Sequence, residues 1–71
     1  MFARRLTHSR GVTFTVEVEQ ETDGRWIAEI PQIPGAMSYG TSREEAIARA
    51  EALALRVLAE RIEQVFSVAA A

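Results

Sequence analysis

Residues 30–46 read IPQIPGAMSYGTSREEA and separate two kinds of sequence pattern. Before them, apolar residues alternate with the period of strands, and after them they recur with the period of a helix. Pro31 and Pro34 lack an N–H and cannot lie inside a paired strand, while Gly35 can adopt a positive φ. We therefore predict that this stretch turns the chain, adds a short strand at residues 36–39 and begins a helix.

The start of the helix is marked by a capping pattern. Gly40 is expected to end the short strand, and Ser42 then fits the N-cap position. Glu45 follows three residues later and completes a capping box. Thr41 with Glu44 has the same spacing one residue earlier, so a second register stays open.

Two strands are predicted before this stretch. Residues 12–20 alternate between apolar and polar side chains, which is typical of a half-buried strand. Residues 21–24 form the turn of a hairpin, in which Gly24 supplies a left-handed position. Residues 25–30 form the second strand, with Ile27 among polar neighbours on the face opposite Trp26.

The helix is predicted from residue 43 to about residue 61. Its core-facing stripe follows the spacing of three, four and seven residues, and it consists of Ala46, Ile47, Ala50, Leu53, Ala54, Val57 and Leu58. A second, narrower stripe lies on an outer face and is made of Ala48, Ala52, Leu55 and Ala59. Small residues with one leucine suit contact with another copy of the chain, and a chance alanine-rich surface is the alternative.

Residues 64–68 contain β-favouring side chains and are predicted to form a last strand. The predicted order is therefore βββαβ, an α+β fold with a mostly antiparallel sheet and one helix packed on one face. The last strand should run parallel to an earlier one after a right-handed crossover. The other face of the sheet stays open unless a partner covers it.

Length and composition limit the kind of protein. A chain of 71 residues is a single domain, 1–71, without cysteines and with a net charge of −2, which is not typical of a nucleic-acid binder. Because disulfides cannot offset the small size, we expect a homo-oligomer, most simply a two-fold dimer. No apolar run approaches the length of a membrane span or a signal peptide, so we expect a cytoplasmic protein.

Residues 1–11 show no clean period and contain three arginines. They fit a flexible start, an N-terminal strand or a basic arm, and we favour a solvated tail. His8 is the sole histidine, and without cysteines it gives no support to a metal site.

Several short motifs occur in order between residues 12 and 61. They are Asp23-Gly24 before an aromatic strand, P-x-I-P-G at residues 31–35, G-x-S-x-E-E-A at residues 40–46 and A-E-A-L at residues 50–53. In this order and spacing they resemble the HicB-type antitoxin family, in its short form. The family usually has Asp where this chain has Gln32.

The resemblance implies a partial ribonuclease-H-like fold and an antitoxin function. Family members neutralise a small HicA-type ribonuclease that cleaves messenger RNA. Many also carry a C-terminal DNA-binding domain, and no segment here resembles one, so we expect no specific DNA binding by this chain alone. The alternative is an orphan binding module with a nucleic acid or another ligand on the open sheet face.

We expect no enzyme, no metal and no cofactor. Glu17, Glu19 and Glu29 share the predicted open face, but their alternation with Thr and Arg is also typical of a solvated strand. No nucleophile–base pair and no glycine-rich phosphate loop is recognisable.

A protein that blocks a basic, RNA-binding ribonuclease should present negative charge. The predicted partner-binding surface is therefore the acidic hairpin and its neighbours, namely Glu17, Glu19, Glu21, Asp23 and Glu29 around Ile27. The helix flank of Glu44, Glu51 and Leu55 is the alternative surface.

Overall fold

The computed structural model describes the backbone of residues 3–9 and 12–70 and the side chains of residues 13–66. Within these residues the chain forms β1 (Ala3–Ser9), β2 (Val12–Gln20), β3 (Trp26–Glu29), β4 (Met37–Gly40) and α1 (Arg43–Ala70). The strands make one antiparallel sheet in the order β1-β2-β3-β4. The predicted α+β class, with an antiparallel sheet and one helix packed on one face, is confirmed.

The core lies between the sheet and the first half of α1. The inward positions of β2 are the alternating apolar residues, so Phe14, Val16 and Val18 are buried together. The helix contributes small residues at its contact with the sheet, which lets the two layers approach closely. The buried helix residues are Ala46, Ile47, Ala50 and Ala54.

The connection between β3 and β4 turns the chain and also fills the core. The Ile30 N–H donates to the Ala36 carbonyl at 2.9 Å, and the Ala36 N–H donates to the Ile33 carbonyl at 3.1 Å. Ile33 is buried although both neighbouring prolines are exposed. Gly35 has a φ of +90°, as its predicted place in the turn requires.

The N-terminal segment differs from the solvated tail that we favoured. Ala3–Ser9 pairs with β2 along its whole length, from Ala3 opposite Val18 to Ser9 opposite Val12. β1 pairs with the edge of β2 opposite β3, so it provides hydrogen-bond partners for the backbone groups of β2 that point away from β3. The N-terminal strand, one of the three alternatives, is therefore adopted, and residues 1, 2, 10 and 11 lie outside the described residues.

The predicted last strand at residues 64–68 is wrong, because α1 continues to Ala70. Ala59, Glu60, Arg61, Glu63 and Gln64 favour a helix, and no glycine or proline interrupts them. Propagating an existing helix adds a hydrogen bond with each residue, whereas a new strand needs an edge to pair with. The expected crossover and parallel pairing are consequently absent from the described residues.

The length and hydropathy of α1 decide whether it could span a membrane. α1 is the helix formed by the described residues, and no part of it is apolar enough over a sufficient length to cross a bilayer.

Candidate functional site

The face of the sheet opposite α1 carries acidic and apolar side chains in two rows. Register places Glu19, Ile27 and Tyr39 side by side across three strands. The next row places Glu17, Glu29 and Met37 side by side in the same way. Directly opposed residues of an antiparallel pair share a face. We call these six residues the open face.

The open face has an apolar centre beside its carboxylates. Tyr39 is 40% exposed and Met37 is 46% exposed, while Ile27, which lies opposite Tyr39 on β3, is half-buried. Glu29 is exposed and Glu19 is half-buried. The open face therefore presents a small apolar surface that is bordered by carboxylates.

The structure brings four of the six predicted partner-binding residues together on this face: Glu17, Glu19, Ile27 and Glu29. Glu21 and Asp23 lie instead at the hairpin end, where the Gly24 N–H donates to the Glu21 carbonyl at 3.0 Å. Gly24 has the predicted positive φ, at +92°.

Asp23 is engaged within the hairpin. Its carboxylate accepts from the Arg25 backbone N–H at 3.1 Å and from the Arg25 Nε at 2.8 Å. The backbone bond is the main reason that the pKa of Asp23 is lowered from its ordinary value, and the Arg25 side chain adds to the effect. Asp23 therefore offers a partner less uncompensated charge than its sequence position indicated.

Arg25 links the hairpin to the open face. Its guanidinium carbon lies 4.6 Å from the centre of the Tyr39 ring, which is cation–π distance. The two side chains form one wall of a shallow cleft of about 290 Å³ that Thr41, Glu45 and Arg49 also line. The Arg49 guanidinium lies 3.8 Å from the Glu45 carboxylate, so this cleft contains positive and negative charge.

A second shallow depression, of about 250 Å³, lies at the other end of the open face. Thr15, Glu17, Pro31 and Gln32 line it. Gln32 is the position at which the resembled family usually has Asp. A neutral amide at this place leaves less negative charge beside Glu17 than an aspartate would.

The capping register at the helix start is the first of the two predicted. The Glu45 backbone N–H donates to Ser42 Oγ at 3.1 Å, so Ser42 is the N-cap. The Glu45 carboxylate reaches back to the Thr41 N–H at 2.7 Å, one residue before the usual capping-box partner. That bond is the main cause of a lowered pKa at Glu45.

The short strand was predicted at residues 36–39 with Gly40 ending it; β4 is Met37–Gly40, so Gly40 is its last residue. The strand passes so near the first turn of α1 that a Cβ on residue 40 would lie 2.5 Å from the Ala46 nitrogen. The glycine is therefore needed for close packing between strand and helix.

The alanine stripe predicted for contact with another copy is only partly on an outer face. Ala48, Ala52 and Ala59 are exposed. Leu55 differs from the prediction, because it is half-buried and packs against the core cluster. A leucine side chain is long enough to reach back over the helix flank towards the core.

Sequence reasoning missed Met37 and Tyr39 as members of the open face. They alternate along a strand of four residues, and only the register with β3 places them beside Glu29 and Ile27. It also missed Ile62, Val65 and Phe66, which the predicted last strand obscured. Their spacing from Leu58 by four, seven and eight residues is the helical signal that identifies them.

Among the residues described, no three His, Cys, Asp or Glu side chains come together as metal ligands. Comparison of the chain with protein-family models, with curated proteins and with solved structures finds no match. The resemblance to the HicB-type family therefore remains a prediction from the motifs.

Proposed function

We propose that this chain is a HicB-type antitoxin that acts in the cytoplasm and neutralises a small basic ribonuclease of the HicA type. It covers the RNA-binding surface of the ribonuclease and carries out no chemistry of its own. The observation that carries the proposal is the open face, where Glu19 and Glu29 lie beside the accessible apolar side chains of Ile27, Met37 and Tyr39. The motif resemblance gives the partner class.

Charge supports this choice of partner. A ribonuclease that binds messenger RNA presents positive charge to phosphates. Carboxylates at the rim of an interface attract such a surface over a distance of about one Debye length, roughly 8 Å at physiological salt. Ile27 and Tyr39 supply the apolar contact that slows dissociation once the surfaces meet.

A second candidate is an orphan binding module with a nucleic acid on the same face. Tyr39 is accessible, and Arg25 lies over its ring, which is a combination that stacks with bases. The carboxylates of the open face oppose it, because they repel a phosphate backbone. The antitoxin proposal is therefore preferred.

The test uses a HicA-type ribonuclease encoded beside this chain. We expect the parent protein to bind it and to stop cleavage of RNA in vitro. The variant Glu19→Gln/Glu29→Gln should slow association about tenfold at low salt and flatten the salt dependence. Ile27→Asp should mainly raise the dissociation rate.

The matched control is Glu60→Gln/Glu63→Gln, which removes the same charge from exposed positions on α1. It should leave the rates near those of the parent. Equal effects of the two pairs would contradict the assignment to the open face. If the parent protein neither binds nor inhibits the ribonuclease but binds single-stranded RNA in fluorescence anisotropy, the orphan-module alternative replaces the antitoxin.

A further inference from the structure

β4 lies at one end of the sheet, because β3 pairs with only one of its two edges. The Ile30 N–H donates to the Ala36 carbonyl, so these residues are a hydrogen-bonded pair of the antiparallel ladder. Such pairs recur at every second residue of a strand. The N–H and C=O groups of Met37 and Tyr39, at the intervening positions, therefore point away from β3. We call this side of β4 the free edge.

The free edge is closed at its two ends and open in the middle. At one end the Met37 N–H donates to the Gly35 carbonyl at 3.0 Å. At the other end the Thr41 N–H donates to a carboxylate of α1 at 2.7 Å. Between them the Tyr39 N–H makes no hydrogen bond within the described residues, and the Tyr39 carbonyl accepts only a long bond of 3.4 Å from the Ser38 hydroxyl. An edge of this kind is complementary to the backbone of another extended segment.

The cleft of about 290 Å³ borders this edge. Arg25 and Tyr39 line it from the side of the open face. Glu45 and Arg49 line it from α1, which packs on the opposite face of the sheet. Side chains on opposite faces of a sheet can line one cleft only at an edge, and Gly40 lines it with backbone alone. We call this cleft the edge cleft.

The two arginines of the edge cleft keep donors for a further carboxylate. Asp23 accepts from the Arg25 Nε at 2.8 Å, and the other guanidinium donors of Arg25 make no hydrogen bond within the described residues. The Arg49 guanidinium is 3.8 Å from the Glu45 carboxylate, which exceeds hydrogen-bond distance. Because both arginines are exposed, the edge cleft favours a segment that brings its own carboxylates.

We propose that the free edge of β4 binds an extended acidic segment of another protein, which adds one strand to the sheet. Its backbone bonds to the Tyr39 N–H and to the carbonyls of Met37 and Tyr39. Its carboxylates lie against Arg25 and Arg49 in the edge cleft. Because only the middle of the free edge is open, the pairing covers about four residues of the segment. This inference does not rest on the antitoxin proposal.

Other occupants satisfy only half of the site. A second copy that paired through its own β4 would bring the sequence MSYG, which carries no carboxylate for the arginines. A nucleic acid could place phosphates against the arginines, but phosphates have no N–H to donate to the carbonyls of Met37 and Tyr39. An extended acidic peptide satisfies both the free edge and the edge cleft.

The first measurement is fluorescence anisotropy with the whole chain and a labelled peptide of sequence EEVTVTEE with blocked ends. Glutamates at both ends reach the edge cleft in either strand direction. We expect a dissociation constant on the order of 100 μM, because few hydrogen bonds are formed. The matched peptide QQVTVTQQ should bind at least about fivefold more weakly, because it keeps the backbone and loses the charge.

A pair of variants tests the edge cleft. Arg49→Gln should weaken binding of EEVTVTEE about fivefold at low salt. Arg61→Gln is the matched control, since it removes the same charge from an exposed position of α1 outside the cleft, and it should leave the affinity unchanged. Equal losses in the two variants would overturn the assignment. Arg49 is not part of the open face, so Arg49→Gln should leave ribonuclease binding unchanged, and the two proposals fail separately.

Amide hydrogen exchange measured by NMR tests the strand pairing itself. Saturating EEVTVTEE should slow exchange of the Tyr39 N–H at least about tenfold, while Ala28, on a strand that is already paired on both sides, should change little. Binding without protection of Tyr39 overturns the proposal, and so does absence of binding at about 1 mM peptide. Protection of Tyr39 that rises with the concentration of the parent protein alone would identify a second copy as the occupant and would also overturn it.

Discussion

Gly40 in β4 lies against the backbone of Ala46 in the first turn of α1, and a Cβ on residue 40 would approach the Ala46 nitrogen to 2.5 Å. The obstacle is backbone, which cannot move aside as a flexible side chain can. This contact sets how closely the end of β4 packs against the first turn of α1.

Gly40→Ala should lower the free energy of unfolding by about 2 kcal/mol or more, as overpacking at a rigid contact does. The measurement is urea denaturation followed by circular dichroism. Gly24→Ala separates the two causes, since no atom lies within 4 Å of a Cβ there and its loss comes from the φ of +92° alone. A loss in Gly40→Ala well below about 1 kcal/mol would contradict a steric role for Gly40.

Ser42→Ala should cost about 1 kcal/mol, because it removes the Oγ acceptor of the Glu45 N–H. Thr41→Ala should cost less, because Glu45 bonds mainly to the Thr41 backbone N–H, which the substitution retains. Thermal unfolding of both variants distinguishes them. A larger loss in Thr41→Ala would favour the earlier capping register.

Stability should fall on acidification, and Glu45 and Asp23 should contribute to the fall. The Thr41 N–H holds the pKa of Glu45 below its ordinary value of 4.5, and the Arg25 N–H holds the pKa of Asp23 below 3.8. A carboxyl whose pKa is lower in the folded state than in the unfolded state stabilises the fold at pH values above its unfolded-state pKa. This stabilisation is lost as the pH falls through its folded-state pKa.

The corresponding test compares urea midpoints between pH 7 and pH 3. Glu45→Gln keeps an acceptor for the Thr41 N–H but cannot titrate, so its midpoint should depend less on pH below about 4.5. Asp23→Asn should act in the same direction at lower pH. An unchanged acid slope in both variants would contradict this assignment.

Ile33→Ala should cost about 2–5 kcal/mol, because it leaves a cavity under the turn between the prolines. Ile27→Ala removes the same atoms from the open face, where the side chain is half-buried, and should cost about 1 kcal/mol or less. Calorimetry on both variants would measure the difference. Similar losses would mean that the open face is packed as tightly as the core.

The sequence predicted β2 at its observed bounds because residues 12–19 alternate without exception, and burial of one face demands that period. It also predicted the turn positions of Gly24 and Gly35 and the N-cap at Ser42, because each of these depends on the backbone geometry of a few adjacent residues. Such local requirements can be read without knowledge of the rest of the fold.

Other features depend on neighbours that are distant in sequence. The residues of Ala3–Ser9 show no alternation, and they form a strand because they pair with the edge of β2 that β3 does not use. Val65 and Phe66 favour strands by propensity, but the preceding helix determines their conformation. The membership of Met37 and Tyr39 in the open face required the register between β3 and β4, which no single segment encodes.

The sheet has the same order in space as in sequence, and this has a consequence for how the protein folds. Each strand pairs with the strand made just before it, so little chain entropy is lost in closing loops. During synthesis the hairpins can form in order, but the apolar face of the sheet remains exposed to solvent until residues 46–58 have left the ribosome. We therefore expect the first half of α1 to complete the core late, and the exposed residues 59–66 of α1 to be added to an already folded body.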